Sequence, residues 1–396
     1  MTTILCLASY EKGADFLREC QRLGARVHLV TVEKLRDADW PRDAIHGFWR
    51  MPDGFGRHDI LNAVSWLART ERIQRIVALD EFDLEMAAAL REHLRLPGMG
   101  ESETRFFRDK LAMRERARAG GVLVPPFTGI FHRDDLHQFM RDNAPPWLIK
   151  PRTEASAVGI RKVATPDEVF AALEELGDRQ SFHLLEGFIT GDVYHVDSIV
   201  SDGRVVFGEA HRYSAPPFQV MHRGGLFSTR TLVRGAEEDV GVRRANEVLA
   251  AAMGVRRGVL HSEFIRDDQG HFWFVETAAR VGGANIVETV EAATGVNLWR
   301  EWARLEVLAA RAEPYTVPAT RTDYAAVLIS LARQEWPDTS SYDAPEVVWR
   351  MQKRHHAGLI VASADPARLD SLLTLYMERF YQDFYASMPA PDKPIA

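Results

Sequence analysis

The segment 258–283 sets ionisable residues where an apolar strand would otherwise run. It reads His261-Ser-Glu263-Phe-Ile, a short turn, Phe274-Val-Glu276, then Thr-Ala-Ala-Arg280-Val-Gly282-Gly283. A carboxylate in such a context is costly unless it is paired or bound to a metal. With Asp267–Gly270 as a four-residue loop, the hairpin register sets Glu263 opposite Phe274 and His261 opposite Glu276. Paired positions share a face, so both carboxylates point the same way on neighbouring strands. Period two puts Arg280 on that face as well if the chain stays extended. Two converging carboxylates with an arginine beside them can hold Mg²⁺ and a polyphosphate, because Mg²⁺ takes one or two protein carboxylates together with phosphate oxygens. An amphipathic hairpin with its charged face in water fits the same spacing.

Lysine is scarce in this chain. Of 49 basic residues only seven are lysines (Lys12, Lys34, Lys110, Lys150, Lys162, Lys353 and Lys393), as expected from a GC-rich genome. A lysine at a motif position therefore carries more information than usual. The formal charge of −7 argues against a nucleic-acid module, which would show a basic face. No apolar run reaches the roughly 18–20 residues of a membrane helix. Cys6 and Cys20 form no C-x-x-C pair, so neither a disulfide framework nor a Cys-based zinc site is supported. The start, Met1 to Ser9, reads as a first strand and not as a signal peptide, and a cytoplasmic location is expected.

The elements that must carry these residues follow from periodicity. Strand-like runs at 2–9, 27–31 and 73–79 alternate with helical stretches at 14–23, 58–70 and 83–94. That alternation implies parallel βαβ units over the first hundred or so residues. A dinucleotide fingerprint and a Walker A loop are both missing. From Lys110 the texture changes to a helix at 111–119 and short strands at 127–131, 147–151, 160–164 and 183–189, with a helix at 166–176. Ser201-Asp202-Gly203 marks one hairpin, and Arg266 to Gly270 marks a second. Residues 286–308 read as helix broken near Gly295. The tail alternates strands at 325–330, 347–352 and 356–363 with a helix at 366–384.

In this order the motifs resemble the ATP-grasp superfamily. Glu276-x-x-x-Arg280-x-Gly282-Gly283 after the hairpin acid Glu263 resembles its metal-binding end. Asp109-Lys110 resembles its first nucleotide lysine, and Trp147-Leu-Ile-Lys150-Pro its second. Thr153-Glu-Ala-Ser156-Ala157-Val158-Gly159 resembles its phosphate loop, and Leu185-Glu186-Gly187-Phe188-Ile189 the hinge that receives adenine. The Glu-x-Ala-Ala-Arg form is similar to the carboxylate–amine ligase branch, including the L-amino-acid (dipeptide) ligases. The resemblance runs over residues 1–310.

It implies a fold of mixed α/β and α+β class: an N-terminal βαβ domain (1–109), two ATP-grasp subdomains (110–186 and 187–313) and a C-terminal α+β lobe (314–396). It also implies ATP, with Mg²⁺ or Mn²⁺. Lys110 and Lys150 would face the phosphates as compact point charges. Backbone N–H groups of Ser156, Ala157 and Val158 would meet the β- and γ-phosphates. Glu186, Gly187, Phe188 and Ile189 would receive adenine, and Asp192 or Asp197 would reach the ribose where relatives carry a Glu at the position of Val193. Glu263 and Glu276 would hold metal, and Arg280 would bind the transferring phosphoryl group or a carboxylate. For Lys110 and Lys150 a surface position is the plain alternative, and for Arg280 it is a salt bridge to one of the two glutamates.

The implied reaction activates a small carboxylate, such as an amino acid, as an acyl phosphate and joins it to an amine, giving ADP and phosphate. Ligation to a thiol or peptide side chain is an alternative outcome on the same scaffold. A nucleotide-binding regulator without turnover is another, since Ala278 replaces the usual Asn near the second metal Glu. The partners implied are small-molecule carboxylate and amine substrates, with no nucleic acid and no membrane; a homodimer is compatible with them. Substrate candidates are His211 and Arg223, from the Pro-, Gly- and aromatic-rich stretch 211–225, together with Gly282 and Gly283. Asp80 and Glu81 end a strand where open α/β sheets bind ligands, and they fit helix capping equally well.

Overall fold

The computed structural model describes residues 2–154, 158–218, 220 and 224–387. The first sheet is parallel and has the order β3-β2-β1-β4, with β1 at Thr3–Ala8, β2 at Arg26–Val32, β3 at Gly47–Met51 and β4 at Arg75–Ala78. Helices Ala14–Arg22, Arg57–Leu67 and Leu84–His93 accompany it. Strand β3 was not anticipated from the sequence. It is an edge strand whose Trp49 and Arg50 are exposed, so its apolar pattern is broken.

A second, antiparallel sheet has the order β5-β8-β6-β7, from Phe127–Gly129 (β5), Trp147–Pro151 (β6), Arg161–Val163 (β7) and His183–Gly187 (β8). Helices Arg133–Asp142 and Pro166–Leu176 belong to this layer and share its core with Trp147, Ile149 and Leu185.

The third sheet has eight strands. They are β9 (Asp192–Ser201), β10 (Arg204–Tyr213), β11 (Phe227–Thr231), β12 (Gly258–Arg266), β13 (Phe272–Ala278), β14 (Tyr324–Leu331), β15 (Val347–Arg350) and β16 (His356–Ser363). Their order is β13-β12-β9-β10-β11-β14-β16-β15. The C-terminal strands thus extend the sheet that carries the hairpin acids, through the pairing of β11 with β14. Strand β11, Phe-Ser-Thr-Arg-Thr, shows no apolar alternation because its buried positions are Ser228, Thr229 and Thr231. The long helix Glu237–Met253, also unanticipated, buries Val242, Leu249 and Met253; each such side chain contributes roughly 1.5–3 kcal/mol. No helix among the described residues is long and apolar enough to cross a membrane.

The hairpin register differs from the one expected. Arg266 pairs with Phe272 and Phe264 with Phe274, but a bulge next in the ladder sets Glu263 directly opposite Glu276 and His261 opposite Ala278. The turn is longer than four residues because Asp267 organises it. Its carboxylate accepts from the backbone N–H of Gln269 and of His271, each at 2.9 Å. Val275 is the extra residue, and a bulge of this kind bends the strand and re-aims the side chains beyond it.

The parallel sheet is fastened to the rest by a shared core. Helix Ala14–Arg22 packs on helix Leu298–Ala310, with Phe16 edge-on to Trp302 at 5.4 Å between ring centroids. Arg75 on β4 donates to Glu306 of that helix at 2.7 Å, both residues being buried.

Candidate active site

Three cations and two carboxylates meet between the second and third sheets. Asp109 caps the helix Lys110–Ala119, accepting from Leu111 N at 3.0 Å and Ala112 N at 3.4 Å, and it also accepts from Arg152 beyond the end of β6. This fixes Lys110 in the first turn. Its Nζ donates to the Glu154 carbonyl at 2.6 Å and lies 3.1 Å from Glu276 Oε2. One turn later on the same face, Arg114 Nε donates to Glu186 Oε2 at 2.8 Å, while Lys150 Nζ bonds the other oxygen of Glu186. Arg114, Lys150 and Glu186 are all buried.

Burial opposes every charge here, and partners decide the outcome. It pushes the Lys150 ammonium below its ordinary range despite Glu186. It would raise Glu186, but Arg114 and Lys150 prevail and hold that carboxyl low. It would likewise raise Glu276, yet Lys110, helped by Lys150 and Arg114, brings that carboxyl down to about 2. The terminal nitrogens of Arg114 are buried with no hydrogen-bond partner.

The third sheet carries a row of polar residues on one face. Direct cross-strand neighbours run Glu276, Glu263, His195, His211, Thr231 across β13, β12, β9, β10 and β11. The adjoining row pairs His261 with Asp197 and Asp197 with Glu209. Glu263 Oε1 accepts from the Tyr213 hydroxyl at 2.8 Å and lies 3.5 Å from His261 Nε2. Burial disfavours the charged imidazole of His261, but Asp197 and Glu263 outweigh it and push its pKa up to about 10. Among the described residues Glu263 thus keeps Oε2 for a ligand, and Glu276, with Oε2 against Lys110, keeps Oε1. Two carboxylates with one oxygen each to spare suit a hard divalent cation that completes its shell with phosphate oxygens and water.

Arg280 does not pair with either glutamate of the hairpin. Its Nη2 donates to Glu81 Oε2 at 3.1 Å and its Nη1 to the Val281 carbonyl at 2.8 Å. Glu81 follows β4, where Asp80 accepts from Phe82 N at 3.1 Å and holds Lys12, so the sheet end is capped and also faces the site. Burial weakens the Arg280 cation, while Glu81, Asp80 and Glu276 strengthen it and raise its pKa overall.

Other expected residues are placed unevenly. Ser156, Ala157 and Arg223 lie outside the described residues, and Val158 sits in a turn at the start of the next described stretch. Gly187 N–H donates to Pro126 O at 2.8 Å and Phe188 N–H to Pro146 O at 3.1 Å, so neither donor is free for adenine. The Phe188 ring lies 3.7 Å beneath the Lys162 ammonium. The chain continues through Ile189 to Asp192, which is exposed and paired with Arg212 at 2.7 Å. His211 is fully buried and stacked on His195 at 4.6 Å, so it cannot meet a substrate in this arrangement. The space a Cβ would take at Gly282 belongs to Asp197 Oδ1 and Ile286, whereas Gly283 faces open space. Sequence reasoning missed Arg114 and Tyr213 as parts of the site, named Asp197 only as an alternative ribose contact, and gave His261 a place in the hairpin but no role. Helical spacing from Lys110 would have found Arg114, and period two on β9, β10 and β12 would have found the rest.

A model of the ATP-grasp domain matches residues 143–288, from just before β6 to the first turn of the helix after Gly283. Among solved structures, the L-amino acid ligase from Bacillus licheniformis superposes with a TM-score of 0.77 at 17% identity, covering 98% of this chain and 99% of that one. This chain has an ATP-grasp fold. The same ATP-grasp fold is seen in the carboxyaminoimidazole ribonucleotide synthase from Aspergillus clavatus complexed with ATP, with a TM-score of 0.72, 13% identity, and coverage of 96% and 99%. By sequence, this chain is 22% identical over 238 residues to the L-arginine-specific L-amino acid ligase of Bacillus subtilis, covering 59% of this chain and 57% of the relative. It is 30% identical over 152 residues to the D-alanine–D-alanine ligase of Actinobacillus pleuropneumoniae, covering 36% and 46%. The matched stretches span about half the length of these curated relatives.

Proposed function

We propose that this ATP-grasp protein is an ADP-forming carboxylate–amine ligase whose carboxylate substrate is an amino acid. The observation that carries the reading is the meeting of Glu263, Glu276 and Lys110 at one end of the site with the Arg280–Glu81 pair at the other. The first group suits the phosphates of ATP and a divalent cation. The second sets a cation and an anion 3.1 Å apart, which matches the two charges of an amino acid.

In the first step a substrate carboxylate oxygen attacks the γ-phosphorus of ATP. The bond from that phosphorus to the bridging oxygen breaks, and ADP leaves with the electron pair. The product is an acyl phosphate. In the second step an amine attacks the acyl carbon, the C–O bond to phosphate breaks, and the nitrogen loses a proton as the amide forms. Mg²⁺ or Mn²⁺ held by Glu263 and Glu276 would neutralise charge on the phosphates. Lys110 and Lys150 present positive charge on rigid supports, and Arg280 orients the carboxylate. Catalysis of this kind is positioning and electrostatics, and needs no nucleophilic side chain.

The test is phosphate release from ATP and Mg²⁺ with pooled amino acids. Release that needs both an acid and an amine is expected. Glu276→Gln should abolish it while the far-ultraviolet circular dichroism stays unchanged. Tight ATP binding without phosphate release in any substrate pool would overturn the ligase reading in favour of a nucleotide sensor.

A further inference from the structure

We propose that Asp197 is a positioning residue for the metal carboxylate, holding Glu263 through His261, with Tyr213 as a second hold on the same oxygen. The proposal rests on the reading of Glu263 as a metal ligand. Asp197 is fully buried on β9, a central strand of the third sheet, opposite His261 in the ladder. Its Oδ1 accepts from His261 Nδ1 at 2.9 Å, and its Oδ2 accepts from His195 Nδ1 at 2.7 Å. His195 is in turn anchored by the Thr229 hydroxyl at 2.8 Å. The space beside Asp197 Oδ1 is closed by the backbone of Gly282, where a Cβ would come within 2.7 Å. Asp197 therefore has one position, and it gives His261 one orientation.

That orientation aims His261 Nε2 at Glu263 Oε1, 3.5 Å away, and the Tyr213 hydroxyl reaches the same oxygen at 2.8 Å. Glu263 is thereby prevented from rotating and presents only Oε2. Three histidine and carboxylate groups at Asp197 lie close enough to suggest a metal centre of their own. Their ring nitrogens are engaged without one: both imidazoles meet Asp197 through Nδ1, His195 Nε2 meets the Thr229 hydroxyl at 2.8 Å, and His261 Nε2 lies 3.5 Å from Glu263 Oε1. The arrangement follows the general pattern in which outer partners orient a metal carboxylate, and losing such partners costs roughly 10–100-fold in metal affinity.

The test is Mn²⁺ binding followed by electron paramagnetic resonance, with ADP present, for the full chain and for Asp197→Asn, Tyr213→Phe and Glu263→Gln. ADP affinity without metal is measured in parallel, because a merely structural defect would lower it too. Support requires that Glu263→Gln loses Mn²⁺ binding. Asp197→Asn and Tyr213→Phe should then weaken it roughly 10–100-fold with ADP affinity unchanged. If Glu263→Gln loses binding but both of the others retain wild-type affinity, the positioning role is overturned while the metal reading stands. If Glu263→Gln itself binds normally, the metal reading falls and the positioning role falls with it. Should Asp197→Asn fail to fold, His261→Gln, which breaks the same link between Asp197 and Glu263, takes its place, and wild-type Mn²⁺ affinity in it overturns the positioning role.

Discussion

Arg280 and Glu81 are 199 residues apart in the chain and 3.1 Å apart in space. Glu81 belongs to the loop that caps β4, and Arg280 to the loop that leaves β13. Their contact makes the parallel sheet part of the site. Glu81→Gln keeps the shape and removes the charge. It is expected to lower kcat/KM for the carboxylate substrate by roughly 10–100-fold, as for loss of a hydrogen bond to a charged group, with ADP affinity unchanged. Arg280→Lys should not rescue Arg280→Ala, because one guanidinium reaches Glu81 and the Val281 carbonyl together and an ammonium on a flexible stem cannot. Steady-state kinetics with varied amino acid check both.

Lys150 and Arg114 share Glu186 but should fail differently. Lys150→Ala leaves Glu186 paired with Arg114, so the fold should persist while nucleotide affinity drops roughly 10–100-fold. Arg114→Ala removes a fully buried guanidinium and leaves Glu186 on β8 with Lys150 alone, and it should cost about 1–3 kcal/mol of stability. Isothermal titration with ADP and denaturant unfolding separate the two; normal ADP affinity in Lys150→Ala would place that lysine outside the nucleotide site.

Glu306 and Arg75 join the parallel sheet to the rest of the molecule. Both residues are less than a tenth exposed. Glu306→Ala leaves the Arg75 guanidinium buried without its carboxylate, and about 3–5 kcal/mol of destabilisation is expected in denaturant unfolding. A shift within about 0.5 kcal/mol, the size usual for surface substitutions, would show that water reaches Arg75.

Asp83 gives a pH dependence with a defined sign. Burial raises its carboxyl to about 6, against the hydrogen bonds from Ser9 that lower it. The folded state therefore holds a proton that the unfolded chain, near 3.8, gives up. Stability from this group is fully present below about 3.8 and is lost as pH rises through about 6. Its size is on the order of 3 kcal/mol. Asp83→Asn should remove this decline, and comparing unfolding free energies of the two proteins between pH 4 and pH 7 measures it.

Much of the fold was legible because apolar periodicity is local: three of the four parallel strands, the two hairpins and the helix pair around Gly295 can all be read without knowing what they pack against. Glu263 and Glu276 stood out by type and spacing for the same reason, and Lys110 and Lys150 by the family resemblance of the motifs around them. The strands β3 and β11 escaped because one is exposed at an edge and the other buries Ser and Thr instead of apolar residues. The hairpin register escaped because the Asp267 turn and the bulge at Val275 depend on side-chain hydrogen bonds that alternation does not encode.

The sequence by itself therefore determined which elements form and which residue types are available for chemistry. Only the tertiary structure decided who faces whom. It gave Arg280 to Glu81 rather than to a hairpin glutamate, withdrew His211 into the sheet, and connected Asp197 through His261 to Glu263. The physical reason is that these partners lie on different strands and loops, brought together by sheet order and by the shared core of helices Ala14–Arg22 and Leu298–Ala310. Electrostatic energies depend on the distance between charges and strengthen with burial, and neither distance nor burial is written in the spacing of residues along one strand.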